Sequence, residues 1–399
     1  MNILFLTLVS IRSFEDHGIY TDLLREFLRN GHSVDVVCPS KNVETNWTEC
    51  GNDSRILTVA VGDVEKTSFI KKGINTVLLE RRFVSAIRAN LTDRVYDLVL
   101  YSTPPITLAG VVAYIKKRDN AKTYLLLKDI FPQNAVDLGM MSPRGIKAPL
   151  YWYFRRKEKK LYALSDRIGC MSQANVDYVI AHNPEIDPRI VEVCPNSIEV
   201  QDMRITDDEK LDMRREYGIP TDKKVFVYGG NLGRPQGIPF LIECLKKCSD
   251  VDDAFFLIVG SGTEYHLLQE YVDAEKPQHV KLMQSLPKED YDRMVAACDV
   301  GMIFLDHRFT IPNFPSRLLA YMQAGLPVLC CTDPNTDIGK VVVDGGFGWW
   351  CESDDVDAFA RTVSAAEQAD CVAMCGRAMA YLQEHYTVEK SYETIMKSM

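Results

Sequence analysis

The chain has 399 residues, 46% of them hydrophobic, which exceeds what one hydrophobic core ordinarily supports, so two domains are expected. Its 46 Lys and Arg against 55 Asp and Glu leave a net charge of −9. This excludes a general nucleic-acid binder, because such proteins displace counterions with an overall or striped positive surface.

The first residues, MNILFLTLVSIRSF, are apolar but carry no basic leading region and no small-residue cleavage site, so they read as a buried strand. Further short runs rich in Val, Ile and Leu predict parallel strands over 2–10, 33–39, 98–102, 123–127, 167–171 and 190–194. Between the first two, 19–30 is an amphipathic helix with Leu23, Leu24, Phe27 and Leu28 on one face and Gly31 as its C-cap. Residues 143–162 carry seven Lys or Arg against one Glu. On a helix from Ala148, Trp152, Arg155, Arg156, Lys159 and Lys160 share one face, and Leu150, Phe154 and Leu161 the other. Such a face suits anionic lipid at about 144–160, and equally a solvated surface; Lys66, Lys71, Lys72, Arg81 and Arg82 extend it. A charged pause at 207–216 and a Gly218–Pro220 turn precede a restart, with strands over 224–228, 254–259, 281–283, 300–304 and 327–331. The alternation makes an α/β chain with one domain over 1–200 and another over 201–379. A closing helix over about 370–397 is long enough for its end, 380–399, to return to the first domain.

No run reaches the length of a membrane-spanning helix. Twelve cysteines lie scattered, without a Cys-x-x-Cys pair or a His spacing for tetrahedral zinc, so buried reduced thiols are expected and no metal site is assigned.

Four motifs in the second half carry the chemistry. Residues 228–237, Tyr-Gly-Gly-Asn-Leu-Gly-Arg-Pro-Gln-Gly, follow a strand and precede a helix, where Gly230 and Gly233 let backbone approach a phosphate. Residues 258–264, Ile-Val-Gly-Ser-Gly-Thr-Glu, put Gly260, Ser261 and Glu264 at the strand end where open α/β sheets bind ligands. Gln284-Ser285-Leu286-Pro287 is a third turn. The fourth, 308–329, has helix-start residues Asn313, Pro315 and Ser316, so N–H groups near Ser316, Arg317 and Leu318 suit a diphosphate. Arg317 adds a bidentate donor, and Arg308 and Arg234 are expected to converge on it. Each motif alone reads equally as turn chemistry; their order carries the signal.

That order resembles the family-4 retaining glycosyltransferases, closest to a fucosamine-transferase-like branch of bacterial surface-polysaccharide enzymes that also read Arg-Phe-Thr-Ile-Pro-Asn-Phe-Pro-Ser-Arg at 308–317. The likeness extends to 17–24 and 128–134 in the first half. Two departures stand out. The family's paired Glu residues fall on Pro312 and Ala320, and its loop Arg and Lys fall on Asn231 and Gln236. The resemblance implies a GT-B fold: two Rossmann-like domains facing a cleft, the last helix crossing back to the first. It implies backbone reading of the base near Ser285 and Leu286, and a UDP-sugar as co-substrate with no separate cofactor and no metal. In the first domain it places Gly18 near the donor phosphates, His17 near the transfer site, and Asp129, after Lys128, where an acid positions the attacking hydroxyl.

The reaction expected is therefore transfer of a sugar, such as N-acetylfucosamine, from a UDP-sugar to a polyprenyl-diphosphate-linked saccharide, with retention, in capsule or O-antigen synthesis. The place expected is the cytoplasmic face of the inner membrane. Rival readings are a catalytically degenerate scaffold protein, motivated by Ala320, Asn231 and Gln236, and a UDP-sugar isomerase of the same fold. A Rossmann oxidoreductase is disfavoured, since no Gly-x-Gly-x-x-Gly follows the first strand.

Overall fold

The computed structural model describes residues 1–40, 45–51, 53–60, 69–251 and 253–399, with backbone alone for 69–78. The chain forms two compact units, one of Met1–Glu199 with Val388–Met399 and one of Val200–Thr387.

The first unit is built on eight strands: β1 (Asn2–Leu6), β2 (Ser33–Ser40), β3 (Asn46–Glu49), β4 (Arg55–Ala60), β5 (Leu98–Ser102), β6 (Lys122–Leu127), β7 (Arg167–Cys170) and β8 (Val191–Val193). Their order is β3-β4-β2-β1-β5-β6-β7-β8, parallel except for the antiparallel β3–β4 pair. Helices α1 (Thr21–Arg29), α2 (Phe69–Asn90), α3 (Ala109–Asp119), α4 (Gln133–Asp137), α5 (Ala148–Leu164) and α6 (Gln173–His182) connect the strands. Near-continuous apolar strands such as Leu98–Ser102, buried at every position, are what a sheet covered on both faces demands. Gly31, at φ +77°, ends α1 in the left-handed conformation that a side chain would resist.

The second unit carries β9 (Lys224–Asn231), β10 (Ala254–Ser261), β11 (Val280–Gln284), β12 (Val300–Phe304), β13 (Val328–Thr332) and β14 (Gly348–Glu352). All pair in parallel, in the order β11-β10-β9-β12-β13-β14. The reversal between β9 and β12 is a topological switch point, where ligands of open α/β sheets bind. Its helices are α7 (Asp207–Glu216), α8 (Ile238–Lys247), α9 (Tyr265–Glu275), α10 (Lys288–Ala296), α11 (Arg317–Gln323), α12 (Ile338–Asp344), α13 (Val356–Glu367) and α14 (Cys371–His385).

Three expectations need correction. The charged pause at 207–216 is helix α7, started by a capping box in which Thr206 and Glu209 each bond the other's backbone. Strands β3 and β4 lie outside the predicted strands, although RILTVA of β4 carries the same short apolar signature as its neighbours. The single closing helix is two, α14 and α15 (Val388–Lys397). The break is a packing requirement: Tyr386 packs at a tilt beside Phe314 and Tyr381 of the second unit, whereas Val388 and Ile395 enter the first unit's core.

No helix among the described residues is long and apolar enough to cross a membrane. Lys66 and the side chains of Lys71 and Lys72 lie outside the described residues.

Candidate active site

The second unit gathers most of the sequence-predicted residues at the C-terminal edge of its sheet. Strand β9 runs into the 229–237 loop because two glycines remove atoms that would collide. A Cβ at Gly229 would lie 1.7 Å from the Tyr291 hydroxyl, and Gly230 adopts φ +119°. Gly260 is equally constrained, its Cβ position being 2.0 Å from the Gly230 carbonyl oxygen. Leu232 N–H then donates to Ser261 O and Glu264 N–H to Leu232 O, so the two glycine-containing turns are stitched together.

Asn231 and Gln236, standing where the resembled family has cations, pair with each other. Asn231 Nδ2 donates to Gln236 Oε1 at 2.8 Å, and Gly233 N–H donates to the same oxygen at 3.3 Å. These amides brace the loop. Gly237, at φ +61°, opens α8, whose first-turn bond from Leu241 N–H returns to Gly237 O.

The three arginines differ sharply. Arg308 forks onto Asp306 through two bonds of 2.8 and 2.6 Å. Arg234 Nε lies 3.6 Å from Glu264 Oε1. Both flank the same loop, but each already faces a carboxylate. Arg317, by contrast, has no acidic partner among the described residues, and its Nη1 is buried with no hydrogen bond. Its guanidinium carbon sits 4.3 Å from the Tyr228 ring centroid, and a Cβ at Gly230 would come 3.3 Å from its Nη2. Burial pulls the Arg317 pKa down, and the phenols of Tyr228, Tyr321 and Tyr291 more than offset it, so the group stays charged. A buried, charged donor without a partner is costly unless an anion completes it.

Helix α11 sets this geometry. Leu318, Leu319, Tyr321 and Met322 are buried, and the Tyr321 hydroxyl receives Gly229 N–H at 3.3 Å while lying 3.1 Å from Met302 O. Ala320 follows Arg317 by one turn. The expected helix-start donors are only partly available, because Leu318 N–H turns back onto Pro315 O and Leu319 N–H onto Ser316 O, and Ser316 makes no side-chain cap. Asn313 and Pro315 lie upstream of the helix; Asn313 O accepts Thr336 Oγ1 at 2.5 Å, and Asn313 Nδ2 is buried without a bond. Asp333, after β13, spends one oxygen on Asn335 and Thr336 N–H and leaves the other buried without a bond; burial raises its pKa to about 6. Glu264 Oε2 is likewise buried without a bond. Sequence reasoning missed Tyr228, Tyr321, Asn313 as an unpaired donor and Asp333. Ser285 and Leu286 form the loop between β11 and α10.

In the first unit the loop after β1 is organised by Arg25. Its guanidinium donates to Phe14 O, Asp16 O, Asp22 Oδ1 and Glu199 Oε2, and lies 3.1 Å from His17 Nδ1. A guanidinium only donates, so Nδ1 is the accepting nitrogen and the imidazole proton belongs on Nε2. Gly18 N–H is spent on Asp22 Oδ1 at 3.0 Å. His17, Asp22 and Glu199 have the spacing of a metal group, but the Arg25 cation already bridges them. After β6, both Asp129 oxygens face Asn134 Nδ2 at 2.9 Å, and burial raises the Asp129 pKa to about 6. Burial lowers that of the adjacent Lys128.

Helix α5 departs from its helical-wheel reading at two residues. Arg155 turns inward to Glu158 at 2.5 Å and to His182 O at 2.9 Å, capping the end of α6. Leu150 is half exposed instead of buried, beside Trp152 at 57% and Ile146 at 101% exposure. The outward surface therefore mixes Ile146, Leu150, Trp152 and Tyr153 with Arg144, Lys147, Arg156 and Lys160.

Known proteins share this organisation. The family "Glycosyltransferase Family 4" matches residues 19–202, and "Glycosyl transferases group 1" matches residues 209–376. "Probable glycosyltransferase WbjE" of Pseudomonas aeruginosa is 24% identical over 372 residues, covering 92% of this chain and 86% of the relative. Among solved structures, Alr3699/HepE of Anabaena in complex with UDP-glucose superposes with a TM-score of 0.70 at 15% identity, covering 100% of this chain and 99% of that one. WaaG, a glycosyltransferase involved in lipopolysaccharide biosynthesis, gives 0.67 at 14% identity, covering 98% and 99%. With a glycosyltransferase family matched on each half, a glycosyltransferase relative aligned along nearly its whole length and GT-B enzymes as structural neighbours, the chain belongs to the family-4 glycosyltransferases of GT-B fold.

Proposed function

We propose that the protein transfers a sugar from a UDP-sugar to a lipid-linked saccharide during assembly of a bacterial surface polysaccharide. The observation that carries this is Arg317, whose Nη1 is buried without a bond and which faces no carboxylate among the described residues, beside Gly230 at the end of β9. Breaking the bond from the anomeric carbon to a nucleoside diphosphate leaves negative charge on a phosphate oxygen. A preorganised cation in a water-poor setting stabilises that charge where it develops. This reading assigns the leaving-group charge to Arg317 in place of a metal, and the displacement proceeds with retention, as the family resemblance implies. HepE bound to UDP-glucose and trehalose-6-phosphate protein bound to UDP-2-fluoro glucose support a uridine nucleotide as donor. The 308–317 segment supports an N-acetylated amino sugar such as N-acetylfucosamine.

In the first unit, His17 meets the donor phosphates or a sugar hydroxyl and Asp129 positions the attacking hydroxyl. The acceptor is a polyprenyl-diphosphate-linked saccharide, a reading supported by the role of WaaG in lipopolysaccharide biosynthesis. Exposed Ile146 and Trp152 among Arg and Lys then rest on the anionic cytoplasmic face of the inner membrane, apolar tips in the headgroup layer and cations on phosphate.

The test is transfer from a panel of UDP-sugars to polyprenyl-linked oligosaccharide, with product detected by mass, in wild type and Arg317→Ala. Wild type should transfer one sugar, and the variant should lose roughly 100-fold in kcat while melting within a few degrees of wild type. Equal kcat in the two proteins removes Arg317 from the reaction; failure of every UDP-sugar to bind wild type sinks the enzyme reading.

A further inference from the structure

We propose that Tyr228 is a positioning residue that holds Arg317 as the site's diphosphate-binding cation; this rests on the reading of Arg317 given above. A long, flexible arginine without a carboxylate has no reason to adopt one rotamer, and ordering it for an anion would consume part of the binding free energy. Here the rotamer is fixed without an acid among the described residues. The guanidinium lies 4.3 Å from the Tyr228 ring centroid, within cation–π range, so the ring supplies electron density to the cation while Nη1 stays without a hydrogen bond. A carboxylate would have used such donors and cancelled the charge, as Asp306 does for Arg308.

Tyr228 is itself locked. It is fully buried in the second unit's core, and its hydroxyl donates to Asn231 O at 2.7 Å, tying ring orientation to the loop that follows. Tyr321, in the same helix as Arg317, anchors α11 to the Met302 carbonyl and to Gly229 N–H. The Gly230 position, with no side chain, leaves the Nη2 edge uncovered, where any Cβ would stand 3.3 Å away. The loop residues at 231 and 236 offer only amides, and these are engaged with each other. The cation therefore comes from α11 and its placement from the end of β9.

The experiment compares affinity for each nucleoside diphosphate (UDP, GDP, ADP) with affinity for its own nucleoside, by calorimetry on the full chain. The ratio isolates the phosphate contribution and does not move when a variant merely loses stability. Tyr228→Leu should lower the ratio for the preferred nucleotide roughly tenfold, and Tyr228→Phe, which keeps the ring face, should restore it to within about threefold of wild type. Arg317→Lys, which keeps charge but not the planar stacking group, should fall in the same direction as Tyr228→Leu and stands in for it if that variant does not fold. Arg317→Ala should abolish the advantage of the diphosphate. If Arg317→Ala collapses the ratio while Tyr228→Leu, or Arg317→Lys in its place, leaves it at wild type, the positioning role is wrong and the anion site stands. If Arg317→Ala leaves the ratio unchanged, or wild type binds none of the three diphosphates, both fall.

Discussion

Asp129 shows how one residue's letter and its environment diverge. At the end of β6 an acid is easily read as a polar group at a ligand edge, but the sequence does not show how strongly its surroundings oppose ionisation. Burial is the largest influence and lifts its pKa to about 6 from an ordinary 3.8, against the opposing hydrogen bonds from backbone and from Asn134. The folded protein therefore holds this proton more tightly than the unfolded chain does. Between about pH 4 and pH 6 the native state binds more protons, so stability contributed by the group falls as pH rises through that window and is level above it. Melting wild type and Asp129→Asn from pH 4 to pH 8 checks this: the wild-type midpoint should decline relative to the variant up to about pH 6 and then run parallel. Parallel curves throughout would remove the protonation shift. Arg317 is the converse case. Its letter was readable as a phosphate ligand, whereas the feature that distinguishes it from Arg234 and Arg308, the lack of a facing carboxylate, depends on where Glu264 and Asp306 fold.

At the scale of elements, periodicity located strands and helices well and their neighbours poorly. Strands β5 and β12 stand at the residues their apolar runs indicate, because a strand covered on both faces writes its burial directly into composition. Helix α5 was placed correctly, yet its wheel put Arg155 with Arg156, Lys159 and Lys160. A wheel records angle around one axis and carries no information on the carbonyl end of α6 or the carboxylate of Glu158, to which Arg155 turns. The two kinds of cation on α5 should separate experimentally. Arg156→Gln, Lys159→Gln and Lys160→Gln together should weaken sedimentation with phosphatidylglycerol vesicles and leave the melting temperature nearly unchanged, since exposed pairs such as Lys159–Glu185 contribute little. Arg155→Gln should leave vesicle binding intact and cost about 3 kcal/mol of stability, because it strands the buried Glu158 carboxylate. Vesicle binding unaffected by the triple change would place any lipid contact elsewhere on the chain.

For the whole molecule, the order of elements along the chain and their membership in folded units part company at Thr387. Each unit has its own sheet and core, and the sequence indicated that division through the charged 207–216 segment and the restart at β9. It did not reveal where the chain turns back, because Tyr386 and Val388 are both apolar and only their partners differ. Helix α15 closes the first unit through Val388 and Ile395, fully buried, and through Tyr392, edge-on to Phe27 at 5.0 Å and bonded to His32 at 3.0 Å, and just past its end Ser398 bonds Glu192 at 2.6 Å. Burying two aliphatic side chains and part of an aromatic one contributes roughly 4–8 kcal/mol, comparable with the whole stability of a typical domain. A chain ended after Thr387 should therefore lose the first unit's cooperative melting and become cleavable by protease within residues 1–199. The second unit, whose sheet and Arg317 site contain nothing from α15, should keep its stabilisation by nucleoside diphosphate. Protease resistance of 1–199 in that shortened chain would show that α15 is a peripheral appendage; joint loss of diphosphate stabilisation would show that the second unit depends on α15 as well.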